Sequence, residues 1–235
     1  MLTLSQLLAQ LSYGALSNLS LSGDGDGVID AARLPALVDA INDGLLALYG
    51  RFTLKEQCAL LELQDHITHY HLRPEFAHSN TESTQPYRYI LDSAQEPFLN
   101  DVLRVTAVHD HTGRHLVLNN PEVPLSLRTP DHKSLYVPAP AYGMVLAVTY
   151  QAKHVPLRID DLDAQYIELP DALVPALRHH VSATLLDAMG TQESMGRAQN
   201  HAMAYENQVQ EILSLDLLST SQSGDSDHFS RGGWA

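Results

Sequence analysis

The chain has 235 residues, 44% of them hydrophobic, which is enough for a packed interior and argues against wholesale disorder. Its formal net charge of −14 argues against a nucleic-acid reader, which needs a basic face to neutralise phosphates. Cys58 stands alone, so no intrachain disulfide and no cysteine zinc site can form. The longest apolar runs, residues 45–49 and 144–148, fall far short of the roughly 20 residues that span a bilayer. No basic segment opens the chain, so no signal peptide is expected, and synthesis in the cytoplasm is consistent with that.

Leu4, Leu7, Leu8 and Leu11 recur at helical spacing and predict a short first helix ending near Tyr13-Gly14. A polar loop rich in glycine and aspartate follows over residues 20–27. A second helix is predicted over residues 33–49, with Leu34, Leu37, Val38, Ile41, Leu45 and Leu48 on its apolar face, Pro35 in its first turn and Gly50 as its stop. Thr53 and Glu56 have capping-box spacing, which would start another helix. Residues 58–63 and 67–72 nevertheless read as two short strands turning at Gln64, Asp65 and His66, and the hairpin is the favoured reading.

Residues 73–86 read as a long polar loop. Residues 102–108 are strand-like, residues 110–113 supply a turn and residues 114–118 return. Prolines punctuate the next stretch until residues 144–153, a strong strand bounded by Gly143 and Pro156. Helical spacing resumes after Pro170-Asp171 with Leu173, Val174, Leu177, Val181, Leu185 and Leu186. Gly190 closes that helix and Thr191 can cap the next, which carries Met195, Ala198, Ala202, Tyr205, Val209 and Ile212. One short connector between two long helices predicts an antiparallel αα-hairpin.

The resulting expectation is an α+β fold: a helical bundle from residues 1–52 and 168–218, a β-rich insertion over residues 53–167, and a C-terminal tail over residues 219–235. The tail is rich in serine, glycine and aspartate, yet contains Phe229 and the only tryptophan, Trp234. Tryptophan is enriched at interface hot spots, so Phe229, Arg231 and Trp234 are the candidate docking residues of an arm that orders on a partner. The alternative is an inert tail.

Chemistry-bearing patterns are weak. Asp24, Asp26, Ile29 and Asp30 fit part of a calcium loop around Gly27, but Ser22 holds the first position and Arg33 holds the twelfth, where a bidentate carboxylate belongs. A turn before a helix accounts for them as well. Thirteen histidines include groups at His66, His69 and His71, at His109, His111 and His115, and at His179-His180. None has a recognised metal-ligand spacing, and a zinc site needs three or four converging ligands. Cys58, in an apolar run, is expected to be buried rather than nucleophilic. No nucleophile elbow, phosphate loop or dinucleotide fingerprint occurs in the sequence.

Four blocks carry a resemblance. They are Leu34-Pro-Ala-Leu-Val-Asp-Ala-Ile-Asn-Asp-Gly-Leu-Leu-Ala-Leu-Tyr-Gly-Arg-Phe52, Ile67-Thr-His-Tyr-His-Leu-Arg-Pro-Glu-Phe76, Leu146-Ala-Val-Thr-Tyr-Gln-Ala-Lys-His154 and Ile167-Glu-Leu-Pro-Asp-Ala-Leu-Val-Pro-Ala-Leu177. In order and spacing they resemble the head-to-tail connector (adaptor) proteins of tailed bacteriophages, of the tail tubular protein A-like kind. The resemblance implies a homo-oligomeric ring, commonly a dodecamer, that joins the portal protein to a tail or nozzle protein at the head–tail interface of the virion. The C-terminal extension would embrace the portal. Genomic DNA would pass through without specific binding, which an acidic wall favours. It implies no enzyme activity, no cofactor, no metal site and no membrane partner. A metal-dependent, virion-associated hydrolase using the histidine clusters is the alternative.

Overall fold

Residues 2–14, 16 and 29–218 are described by the computed structural model, and over them the chain is α+β, with all its named strands paired antiparallel. The calcium-loop residues Ser22, Asp24 and Asp26 and the docking residues Phe229, Arg231 and Trp234 lie outside the described residues. The backbone divides into two units, residues 1–44 with 157–235 and residues 45–156.

The first unit begins with β1 (Leu2–Thr3) and α1 (Leu4–Tyr13). Thr3 caps α1 reciprocally: its hydroxyl accepts the Gln6 N–H at 3.2 Å, and Gln6 Oε1 accepts the Thr3 N–H at 3.1 Å. Leu4, Leu7, Leu8 and Leu11 are buried, as their spacing predicts. The pairing of β1 with β8 (Tyr166–Ile167) had no periodic signal, because strands of two residues are too short to show one.

Helix α2 (Leu34–Arg51) buries Leu37, Val38, Ile41, Leu45 and Leu48. Gly50 lies inside the helix rather than stopping it, and the Phe52 N–H still bonds to the Leu48 carbonyl at 2.9 Å. A single helical glycine costs only about 1 kcal/mol, and burial of Tyr49 and Phe52 outweighs that. Asn42 uses both ends of its amide: Oδ1 accepts the Leu157 N–H at 2.8 Å and Nδ2 donates to the Leu157 carbonyl at 3.0 Å.

Pro170 leads through a 3-10 turn, Asp171–Leu173, into α3 (Val174–Asp187), and α4 (Gln192–Ser214) follows after Gly190. Gly190 has φ +66, a conformation glycine tolerates without steric cost. The two helices pack on each other as the expected hairpin. The face of α4 differs from expectation. Ser194, Ala198, Tyr205, Val209 and Ile212 are buried, whereas Met195 and Ala202 are exposed. The Thr191 capping box sets this phase, because its N3 partner Ser194 points inward and bonds back to Thr191.

The second unit holds a four-stranded sheet in the order β4-β2-β7-β5, formed by β2 (Glu56–Glu62), β4 (Ile90–Leu91), β5 (Val102–His109) and β7 (Val145–Ala152). Central β7 buries Leu146, Val148, Tyr150 and Ala152 on its inner face. It pairs with β2 from Glu56↔Gln151 to Glu62↔Val145. Strand β4 covers only Leu60 and Leu61, so the Glu56 end of β2 is an open edge. At the opposite edge β5 carries two irregularities of register, a common protection of edge strands.

The expected hairpin over residues 58–72 is corrected. Both strands exist, but β2 pairs within the four-stranded sheet while β3 (His69–His71) pairs with β6 (Ser134–Tyr136). The intervening turn is held by Tyr70, whose hydroxyl accepts the Gln64 N–H at 2.9 Å and donates to the Gln64 carbonyl at 3.2 Å. Tyr89 does the same at His71, accepting its N–H at 2.7 Å and donating to its carbonyl at 3.2 Å. These long-range ties, invisible to local pattern, send the two strands to different sheets. Residues 114–118 return beside β5 as expected, but through an isolated bridge between His109 and His115 and bonds from the Leu116 N–H to Val108 and from the Asp110 N–H to Arg114, not as a full strand.

Candidate functional site

The histidine groups do not converge. His66 bonds to Asp65 at 2.9 Å and packs against Tyr87. That bond holds the Asp65 carboxyl below the usual carboxylate range. His69 and His71 flank buried Tyr70 on β3 and border a shallow hollow of about 130 Å³ with Phe76, Tyr87 and Tyr89. His109 and His115 stand with ring centres 5.4 Å apart across the turn. That turn is ordered by Asp110, which accepts the N–H groups of Thr112 and Arg114. Among the described residues no group of three or more histidine, cysteine, aspartate or glutamate side chains is placed to hold a metal ion. Asp30, the described carboxylate of the calcium-loop pattern, instead accepts the Ala32 N–H at 3.0 Å in the turn before α2.

One histidine contact was missed from sequence. His179 on α3 and His201 on α4 bring their Nδ1 atoms to 2.8 Å. The neighbour of His179, His180, turns instead to Tyr205, with ring centres 5.2 Å apart. The signal was available: His179 lies eleven residues before Gly190 and His201 eleven after it, so an antiparallel hairpin turning there sets them opposite each other.

Cys58 corrects another expectation. It is exposed on the outer face of β2, because alternation puts Ala59 and Leu61 inside and Glu56, Cys58 and Leu60 outside. Partial desolvation still pushes its thiol above the ordinary value, which lowers its nucleophilicity at neutral pH. Beside it runs an open groove of about 780 Å³, bordered by Gln57, Cys58, Leu60, Asp92, Phe98 and Leu99. The far wall is fixed by Asp92, which accepts the N–H groups of Ser79 at 2.7 Å and Phe98 at 2.9 Å.

Buried polar groups in the second unit serve the framework. Gln151 lies in the sheet yet donates to the carbonyls of Tyr49 and Phe52, and accepts from Arg104 Nε at 2.7 Å. It thus satisfies carbonyls that the end of α2 leaves open. The Tyr150 hydroxyl donates to Asp101 at 3.1 Å, and burial with that carboxylate beside it pushes the phenol well above the ordinary tyrosine value. A phenol held this firmly protonated is no base at neutral pH.

The first unit presents a different kind of surface. A groove of about 530 Å³ runs along the α3–α4 hairpin, lined by Ala183, Thr184, Asp187, Met195, Ala198 and Ala202. Met195 in its lining is 49% exposed, and Met189 and Met203 elsewhere on the hairpin are 49% and 56% exposed. Methionine is flexible and polarisable, and it is favoured where a surface must fit a partner. No described helix is long and apolar enough to cross a membrane. Compared with known proteins, the chain matches no protein-family model and is significantly similar to no curated protein.

Proposed function

We propose that the chain is a structural adaptor, not an enzyme, which assembles into a ring between the portal and the tail of a bacteriophage virion. The observation that carries this reading is the exposed groove, with Met195 in its lining, on a hairpin of the C-terminal helices that also exposes Met189 and Met203. In a ring, a neighbouring copy covers it. The chain's order supports the same reading, since helices from both ends share one unit and the β strands from β2 to β7 fall in the other.

In this reading the helices at the two ends form a bundle in the ring, and the β-rich unit faces a tail or nozzle protein. Residues 219–235 reach the portal, with Phe229, Arg231 and Trp234 as anchors. The net charge of −14 keeps the passing genome from adhering to the wall.

The test is sedimentation of the full chain, alone and with its candidate portal ring. The expected result is co-migration in a multi-copy complex. Deleting residues 229–235 weakens that binding by roughly 30-fold, the loss of one tryptophan-centred hot spot, while leaving the circular dichroism spectrum unchanged. A chain that stays monomeric and ignores the portal overturns the reading. Undiminished affinity of the truncated chain overturns the docking arm alone.

A further inference from the structure

The contact between His179 and His201 is conditional on protons. Its Nδ1–Nδ1 distance is 2.8 Å, and the rings are tilted by 40° with centres 5.1 Å apart. Two ring nitrogens that close need one hydrogen between them, donated by one and accepted by the other. A first extra proton is tolerated, since one ring still offers its lone pair. A second is not: both Nδ1 atoms then carry hydrogens, and two half-buried cations face each other.

The surroundings make that second proton harder to accept. Burial holds both rings below the ordinary imidazole value, and the charges adding to it are cationic: His201 and Arg178 on His179, and Arg197 on His201. His180 is turned to Tyr205 and lies against Gly44 of α2. Asp39 and Asp43 on α2, Asp171 in the 3-10 turn, Asp187 on α3, and Glu193, Glu206 and Glu211 on α4 are the carboxylates of the neighbouring elements. None of them figures among the charges acting on either ring.

We propose that His179 and His201 form a proton-operated latch on the α3–α4 hairpin, closed at neutral pH and opened when both rings become charged in mild acid. Gly190 gives the hairpin its turn, and the methionine groove runs along the same two helices, so opening changes the surface offered to a partner. The latch stands on this geometry alone and does not require the adaptor reading.

The sign follows from linkage. The closed pair binds fewer protons than the open one, so closure is complete above the ordinary imidazole value of about 6.5 and is lost as pH falls below it. Each histidine that charges only in the open form raises the opening equilibrium by up to about 10-fold per pH unit.

Hydrogen exchange of the full chain, followed by mass spectrometry from about pH 7.5 to about pH 5 and corrected for intrinsic rates, reads this directly. The expected result is a steep loss of protection in α3 and α4 but not in β7, and a flat profile in the His179→Gln, His201→Gln double variant, whose amides do not titrate. Protection of α3 and α4 that holds to about pH 5 in the natural chain, or that falls equally in the double variant, overturns the latch. Should the double variant fail to fold, ring titration of the natural chain by nuclear magnetic resonance decides. A second protonation step of the pair at or above about 6.5 overturns the latch, and a second step below it supports it.

Discussion

Tyr89 shows how much one side chain can organise. Its hydroxyl serves both the N–H and the carbonyl of His71, and its ring stacks on Phe76 at 4.8 Å and meets Tyr70 edge-on at 4.9 Å. Tyr89→Phe keeps the rings but leaves both backbone groups of His71 without that partner. Urea denaturation should show a loss of about 1–3 kcal/mol. Burial also pushes the Tyr89 phenol far above its ordinary value. A raised folded pKa means that its stabilisation is complete below about pH 10 and is lost as pH climbs past that point. Alkaline unfolding of the Phe variant should therefore begin at higher pH relative to its own neutral stability. Gly44 illustrates the opposite economy, a residue valued for what it lacks. A Cβ there would come within 2.7 Å of Leu177 and 3.0 Å of His180, so bare backbone lets α2 and α3 approach.

At the scale of the element, the hairpin depends on its caps. Thr191 accepts the Ser194 N–H at 3.1 Å, and Ser194 returns a bond to the Thr191 N–H at 3.1 Å. Thr191→Ala should cost about 1 kcal/mol and fray the first turn of α4, measured by thermal unfolding and by exchange of the Ser194 amide. Such signals act over a few residues, which is why the sequence placed α1, α2, α3 and α4 within a few residues of their observed bounds. The phase of α4 was misread because Met195 and Ala202 are apolar and continue a helical stripe as plausibly as Ser194 does. Strand partners were less legible still. Strands β2 and β3 each carry the right composition, but their pairing is decided by β7 and β6, far along the chain. Of the candidate surface, the hairpin was legible and the methionine groove was not, because its lining was assigned to the interior.

At the scale of the whole molecule, two exposed surfaces differ in chemistry. One is the methionine groove. If neighbouring copies meet there, the Met195→Glu, Met203→Glu double variant should sediment as a smaller species than the natural chain while unfolding at a similar temperature, because both positions are about half exposed. The other is the uncovered end of β2. At the covered end of β2, Glu62 sends its N–H to Tyr89 on the β4 side, so at the uncovered end Cys58 and Glu56, two and three steps of the same alternation away, also turn their backbone groups outward. Two molecules meeting along this edge in antiparallel register centred on Cys58 would set the two Cα atoms about 5.5 Å apart, with both thiols on one face. That spacing lies within the range a disulfide accepts. Air oxidation would then turn a passing encounter between edges into a covalent pair. A reducing buffer is therefore one of the conditions under which the assembly state of this chain reports its non-covalent surfaces.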